Sequence, residues 1–76
     1  MDITEHIRTV VMELEQALRD HKPFNSPHEG YAVMLEELDE LWEEVKMRPG
    51  KRSEGRMRSE ARQVAAMAIR FMLECT

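Results

Sequence analysis

Residues 64–73 read VAAMAIRFML. Wound as a helix, this run is apolar on nearly every side, and a helix apolar all round must be buried all round. The chain has 76 residues, and the segments left over supply only two more helices, too few to cover it. The expected architecture is therefore all-α: a single domain over residues 1–76, a three-helix chain forming a helical bundle completed by dimerisation, with the third helix at the interface. Size points the same way, because a short chain buries a small fraction of its surface. The one cysteine, Cys75, excludes an internal disulfide framework, which leaves a metal or self-association as the usual staple of a small domain.

Working outward from this run, the third helix is expected from about Arg56 to Glu74. Before it, RPGKRSEG (residues 48–55) reads as a loop, with Pro49, Gly50 and Gly55 as breakers. The second helix has a marked start. Ser26 is a good N-cap, Pro27 suits the first helical position, and Glu29 stands at capping-box spacing from Ser26. It is expected to run to about Met47, with an apolar stripe of Tyr31, Met34 or Leu35, Leu38, Leu41, Trp42 and Val45. Gly30 either costs that helix a little or permits close backbone approach. The first helix, from about Asp2 to Asp20, carries Ile3, Ile7, Val10, Leu14 and Leu18 at helical steps. HKPFNSP (residues 21–27) ends it.

The bulk numbers exclude several classes. Fifteen acids against 11 bases give a net charge of −4, which argues against a chain built to coat nucleic acid. No apolar run approaches membrane-spanning length, and MDITEHIRTV lacks the basic start and apolar stretch of a signal peptide. A single thiol fits a reducing cytoplasm. The seven methionines read as adaptable core filler.

EELDELWEEV (residues 36–45) places six carboxylates in ten positions. At 100° per residue, Glu37, Glu40 and Glu44 fall on one flank of the apolar stripe, and Glu36, Asp39 and Glu43 on the other. Like charges three or four residues apart destabilise a helix, by roughly 0.2–0.5 kcal/mol per pair. Two readings stay open at this point. The acids are a solvated face, or some of them hold a divalent cation, for which carboxylate oxygens are the natural ligands. Glu60 bears on the choice, because it stands where the apolar run of the third helix begins, with Gln63 one turn on. A partly buried carboxylate needs a partner. For Glu60 that partner is Arg56, or a cation shared with Glu37 and Glu40.

Glu36-Glu37-Leu38-Asp39-Glu40 matches the EExxE element of the all-α nucleoside triphosphate pyrophosphohydrolases, and Glu60-Ala61-Arg62-Gln63 stands where that group carries ExxD. Over residues 23–74 the chain resembles small stand-alone MazG-like proteins. The resemblance implies a helical bundle completed as a dimer or tetramer. It implies Mg²⁺-dependent hydrolysis (Mn²⁺ as a substitute) of an NTP or dNTP to the monophosphate and pyrophosphate. Carried over, Glu37, Glu40 and Glu60 are metal ligands, and Glu36 completes the catalytic set by orienting a metal-bound water or another ligand. Gln63 departs from the motif: its carbonyl can ligate a metal, but it carries no charge and cannot act as a base. With Gln63 there, the chain is a catalyst with a weakened metal site, a binding protein of the same fold, or an enzyme in which Gln63 reads a substrate group.

Other residues are weighed against plainer roles. Seven bases fall between residues 46 and 62, a solvated loop or a cover for triphosphate; Arg56 and Arg62 are the better phosphate candidates because they share a helix with Glu60. Phe24 and Asn25, before the second helix, could line a base pocket. Tyr31 is divided between stacking a base and packing, whereas Trp42 is expected in the core. His28 reads as an ordinary helix-start residue, and His6 and His21 have no partners at ligand spacing. Against the enzyme stands a non-catalytic helical module that binds a nucleotide or a partner protein.

Overall fold

A computed structural model describes all 76 residues as three helices without strands: α1 (Ile3–Asp20), α2 (Pro27–Val45) and α3 (Glu54–Cys75). All three begin on a side-chain cap. The Asp2 carboxylate accepts from the Glu5 N–H at 2.9 Å, and Ser26 Oγ accepts from the Glu29 N–H at 3.1 Å. Ser53 Oγ accepts from the Arg56 N–H at 3.1 Å. Each such bond satisfies a donor that the first turn of a helix leaves free. Glu29 does not close the capping box on Ser26; it reaches one residue further, to the backbone N–H and the side-chain amide of Asn25.

The ends differ slightly from the sequence expectation. The Ser53 cap starts α3 at Glu54, two residues before the expected Arg56. At the other end α2 closes at Val45 rather than Met47. The Arg52 guanidinium donates to the Val45 carbonyl at 3.2 Å and to the Met47 carbonyl at 3.1 Å, which satisfies acceptors left over at a helix C-terminus.

α3 lies between the other two helices and packs on both, whereas α1 and α2 bring no Cα atoms within 8 Å of each other. The core is small: Leu14 of α1, Phe24 of the first connection, and Ala66 and Met67 of α3, flanked by Val10, Ala17, Val33, Met34, Ile69 and Cys75. The run 64–73 is thus covered on two sides by its own chain, but Met72 and Leu73 remain exposed.

One sequence expectation needs correction. Trp42 was expected in the core, yet it is exposed, together with Tyr31, Leu35 and Leu38. α2 meets α3 through a different face: Gly30 is buried, and Val33, Met34, Glu37, Leu41 and Glu44 are partly buried. Gly30 is the reason this face packs. A Cβ there would stand 2.7 Å from Phe71 Cδ2 and 3.1 Å from Phe24 Cδ2, so only glycine lets the helices approach this closely. Gly30→Ala should therefore destabilise the protein by about 1–2 kcal/mol, overpacking strain outweighing the gain in helix propensity. Urea denaturation tests this, and a more stable variant would show that the Phe71 ring simply moves aside.

Candidate metal centre

Glu37 and Glu40 lie one turn apart on α2, and Glu60 lies in the second turn of α3. One carboxylate oxygen from each comes within 4.8 Å of the other two. The meeting depends on the Gly30 contact, because that contact turns the Glu37 edge of α2 toward α3.

No basic side chain neutralises the cluster. Arg56, the expected alternative partner of Glu60, instead binds Glu44 at 2.5 Å, and its guanidinium also reaches the Lys51 carbonyl at 3.4 Å. The carboxylates show the consequence. The Glu37 carboxyl is pushed above the ordinary range by burial, then by the charges of Glu40 and Glu60, a hydrogen bond with Glu40, and the charge of Glu36. Glu60 is pushed up by burial, then by the charge of Glu40, a hydrogen bond with it, and the charge of Glu44.

The donor set fits a hard divalent cation. The three oxygens lie within 4.8 Å of one another; they would have to draw closer to share one Mg²⁺, whose remaining positions would be left to water or phosphate oxygens.

Beside the triad opens a cavity of about 430 Å³. Glu36, Glu37 and Gln63 line it from α2 and α3, and His21, Lys22 and Phe24 from the first connection. Glu37 therefore belongs to both the triad and the cavity. Glu36 lines the cavity but is not one of the three clustered carboxylates. Gln63 donates from Nε2 to Glu13 of α1 at 2.8 Å, so its carbonyl oxygen is its one atom left for a metal.

The other candidates are scattered. Phe24 is buried and lines the cavity, with the Arg70 guanidinium over its ring at 3.9 Å from the centroid. Asn25 is engaged with Glu29, whose carboxyl those hydrogen bonds hold below its ordinary range. Arg56 stays near the triad through Glu44. Arg62 does not: it lines a groove between α1 and α3 with His6, Thr9 and Arg58, on the side of α3 away from Glu60. There its Nε is buried without a hydrogen-bond partner. Tyr31 is exposed and lines a separate hollow with Pro27, His28 and Phe71.

Sequence reasoning missed the group that holds the cavity wall. Arg70 is 5% exposed. It donates from Nε to Glu74 at 3.0 Å and from Nη2 to the Lys22 carbonyl at 2.8 Å. Glu74 also accepts from the Phe24 N–H at 2.9 Å. The signal was available, because a charge inside an otherwise apolar helix must find partners. His21 and Lys22 gave no such signal. They reach the cavity only because this clamp docks the connection on α3.

No known family model matches the chain, and no curated protein or solved structure does either. No helix is long and apolar enough to cross a membrane.

Proposed function

We propose that the chain is a divalent-metal-dependent nucleotide pyrophosphohydrolase of the MazG-like kind, self-associated and acting in the cytoplasm. The observation that carries the reading is the convergence of Glu37, Glu40 and Glu60 from two helices with no basic side chain among them. Burial of like charges is costly, and a bound cation offsets it. Glu37, Glu40 and Glu60 would hold Mg²⁺ or Mn²⁺, which would supply phosphate charge neutralisation and a polarised water. Glu36, on the cavity wall beside Glu37, would orient such a water through a hydrogen bond. The cavity takes the nucleoside end of the substrate, and Arg56, tethered beside the triad by Glu44, reaches the outer phosphates.

One observation favours a second reading. Gln63 stands where the resembled family carries an acid, and its amide is committed to Glu13. A site short of one carboxylate could bind a metal–nucleotide complex without turning it over.

Pyrophosphate release from a panel of NTPs and dNTPs, with Mg²⁺ or Mn²⁺ and beside Glu37→Gln, separates the two. The enzyme reading expects release that falls at least about 100-fold in the variant, the scale on which loss of an electrostatic stabiliser acts. Absence of release from every nucleotide, with metal-dependent nucleotide binding retained, would move the function to binding. Neither release nor binding would leave the acids as a structural face.

A further inference from the structure

α2 carries an apolar stripe that nothing in its own chain covers. Tyr31 is 62% exposed, Leu35 42%, Leu38 50% and Trp42 57%. At the areas such side chains bury, this is on the order of 400 Å² of open apolar surface. It amounts to about half of what one partner contributes to a standard stable interface. The partly buried Met34, Leu41 and Val45 border the stripe and extend it.

The spacing of the stripe is self-complementary. Tyr31 and Trp42 stand symmetrically about the midpoint between Glu36 and Glu37, and so do Leu35 and Leu38. A two-fold axis through that midpoint, perpendicular to α2, sets each member of a pair against the other in a second, antiparallel copy. This is the condition for an isologous contact. Charge allows it: the same axis sets Asp39 level with Met34, Glu43 with Gly30 and Glu36 with Glu37, and Glu36 and Glu37 line the cavity on another side of α2, so no two acids meet across the stripe.

The shape also allows it. Where the axis would bring a second Trp42, the surface has a hollow of about 320 Å³ lined by Pro27, His28, Tyr31 and Phe71. We propose that this α2 face is the dimer interface, two copies packing antiparallel, with Trp42 of the partner subunit seated in the Pro27–His28–Tyr31–Phe71 hollow of each. The inference names a face other than the apolar run of α3, and it stands on α2 alone. A monomeric but active protein would sink it, and the proposed self-association with it, and leave the pyrophosphohydrolase chemistry intact.

Three measurements on the full chain test it. Sedimentation should give a dimer whose dissociation constant rises about 30-fold or more in Leu38→Glu or Trp42→Ala, as expected for the centre of an interface. Ile7→Glu, an exposed position on α1, should leave it unchanged. Trp42 is the single tryptophan, so its emission should shift to the blue with protein concentration in step with association. For orientation, His28→Cys chains mixed with Val45→Cys chains, both in a Cys75→Ala background, should cross-link to each other, and neither should cross-link alone. A monomer at every concentration overturns the proposal, as does a dimer that responds to Ile7→Glu instead of Leu38→Glu. Cross-linking of His28→Cys chains alone overturns the antiparallel arrangement.

Discussion

Arg70→Ala is expected to cost about 3–5 kcal/mol, the range for removing one partner of a buried ion pair. Both side chains are almost fully enclosed, 6% and 9% exposed for Arg70 and Glu74, so water cannot replace what is lost. The substitution leaves the Glu74 charge without its counterion, strips a donor from the Lys22 carbonyl and uncovers the Phe24 ring. A domain of this size has on the order of 5–10 kcal/mol of stability in total, so the loss is a large part of it. Arg70→Met keeps most of the volume but still strands Glu74, and should fall only modestly short of Arg70→Ala. The double change Arg70→Met, Glu74→Leu should recover most of the loss, because an apolar pair of similar volume can replace a buried ion pair. Urea denaturation of the four proteins decides this. A cost below about 1 kcal/mol for Arg70→Ala would mean that the pair behaves as a solvated surface bridge. The effect reaches function because the clamp fixes His21, Lys22 and Phe24 on the cavity wall.

Magnesium should invert the sign of a substitution in the triad. In chelator, Glu40→Gln removes a charge held against Glu37 and Glu60, and at pH 7 the variant should match or exceed the parent by about 0.5 kcal/mol. With Mg²⁺ at a hundred times its dissociation constant the parent gains about 2.7 kcal/mol, because the ion binds only the folded state. The variant should gain almost none of this and become the less stable protein. The pH dependence has a defined direction. Glu37 and Glu60 are both raised above 4.5, so above that pH the folded chain holds protons that the unfolded chain releases. Their contribution to stability in chelator is therefore full below pH 4.5 and declines as pH rises through the raised values. Glu29, lowered from 4.5, acts in the opposite sense: its contribution is present above pH 4.5 and lost as pH falls through its folded value. The two effects therefore occupy separate windows. Thermal denaturation at pH 3, pH 5 and pH 7.5, with chelator and with Mg²⁺, measures both. An equal Mg²⁺ response in parent and Glu40→Gln would remove the triad as a metal site.

Much was legible in the sequence because the signals are local. Ser26, Pro27 and Glu29 set the start of α2 within one turn, and Pro49 and Gly50 open the loop before α3. The apolar steps from Ile3 to Leu18 define α1 without help from the rest of the chain. The triad was legible for a related reason. Glu37 and Glu40 are neighbours on any helix, and Glu60 stands near the start of the next, at its expected edge. The chain by itself thus determined three helices and the carboxylates that could meet between two of them.

Which faces meet was a tertiary decision. Periodicity gave α2 one broad apolar stripe and did not say which edge of it would meet α3. The close contact of Gly30 with Phe71 selects the edge, which brings Glu37 to α3 and leaves Trp42 outside. Gln63 found Glu13, and Arg70 found the Lys22 carbonyl, across roughly fifty residues of chain. Arg62, on the same helix as Glu60, went to the opposite side. A helical repeat specifies which residues share a stripe. Only the packing of one stripe against another, through contacts distant in sequence, specifies what each stripe faces.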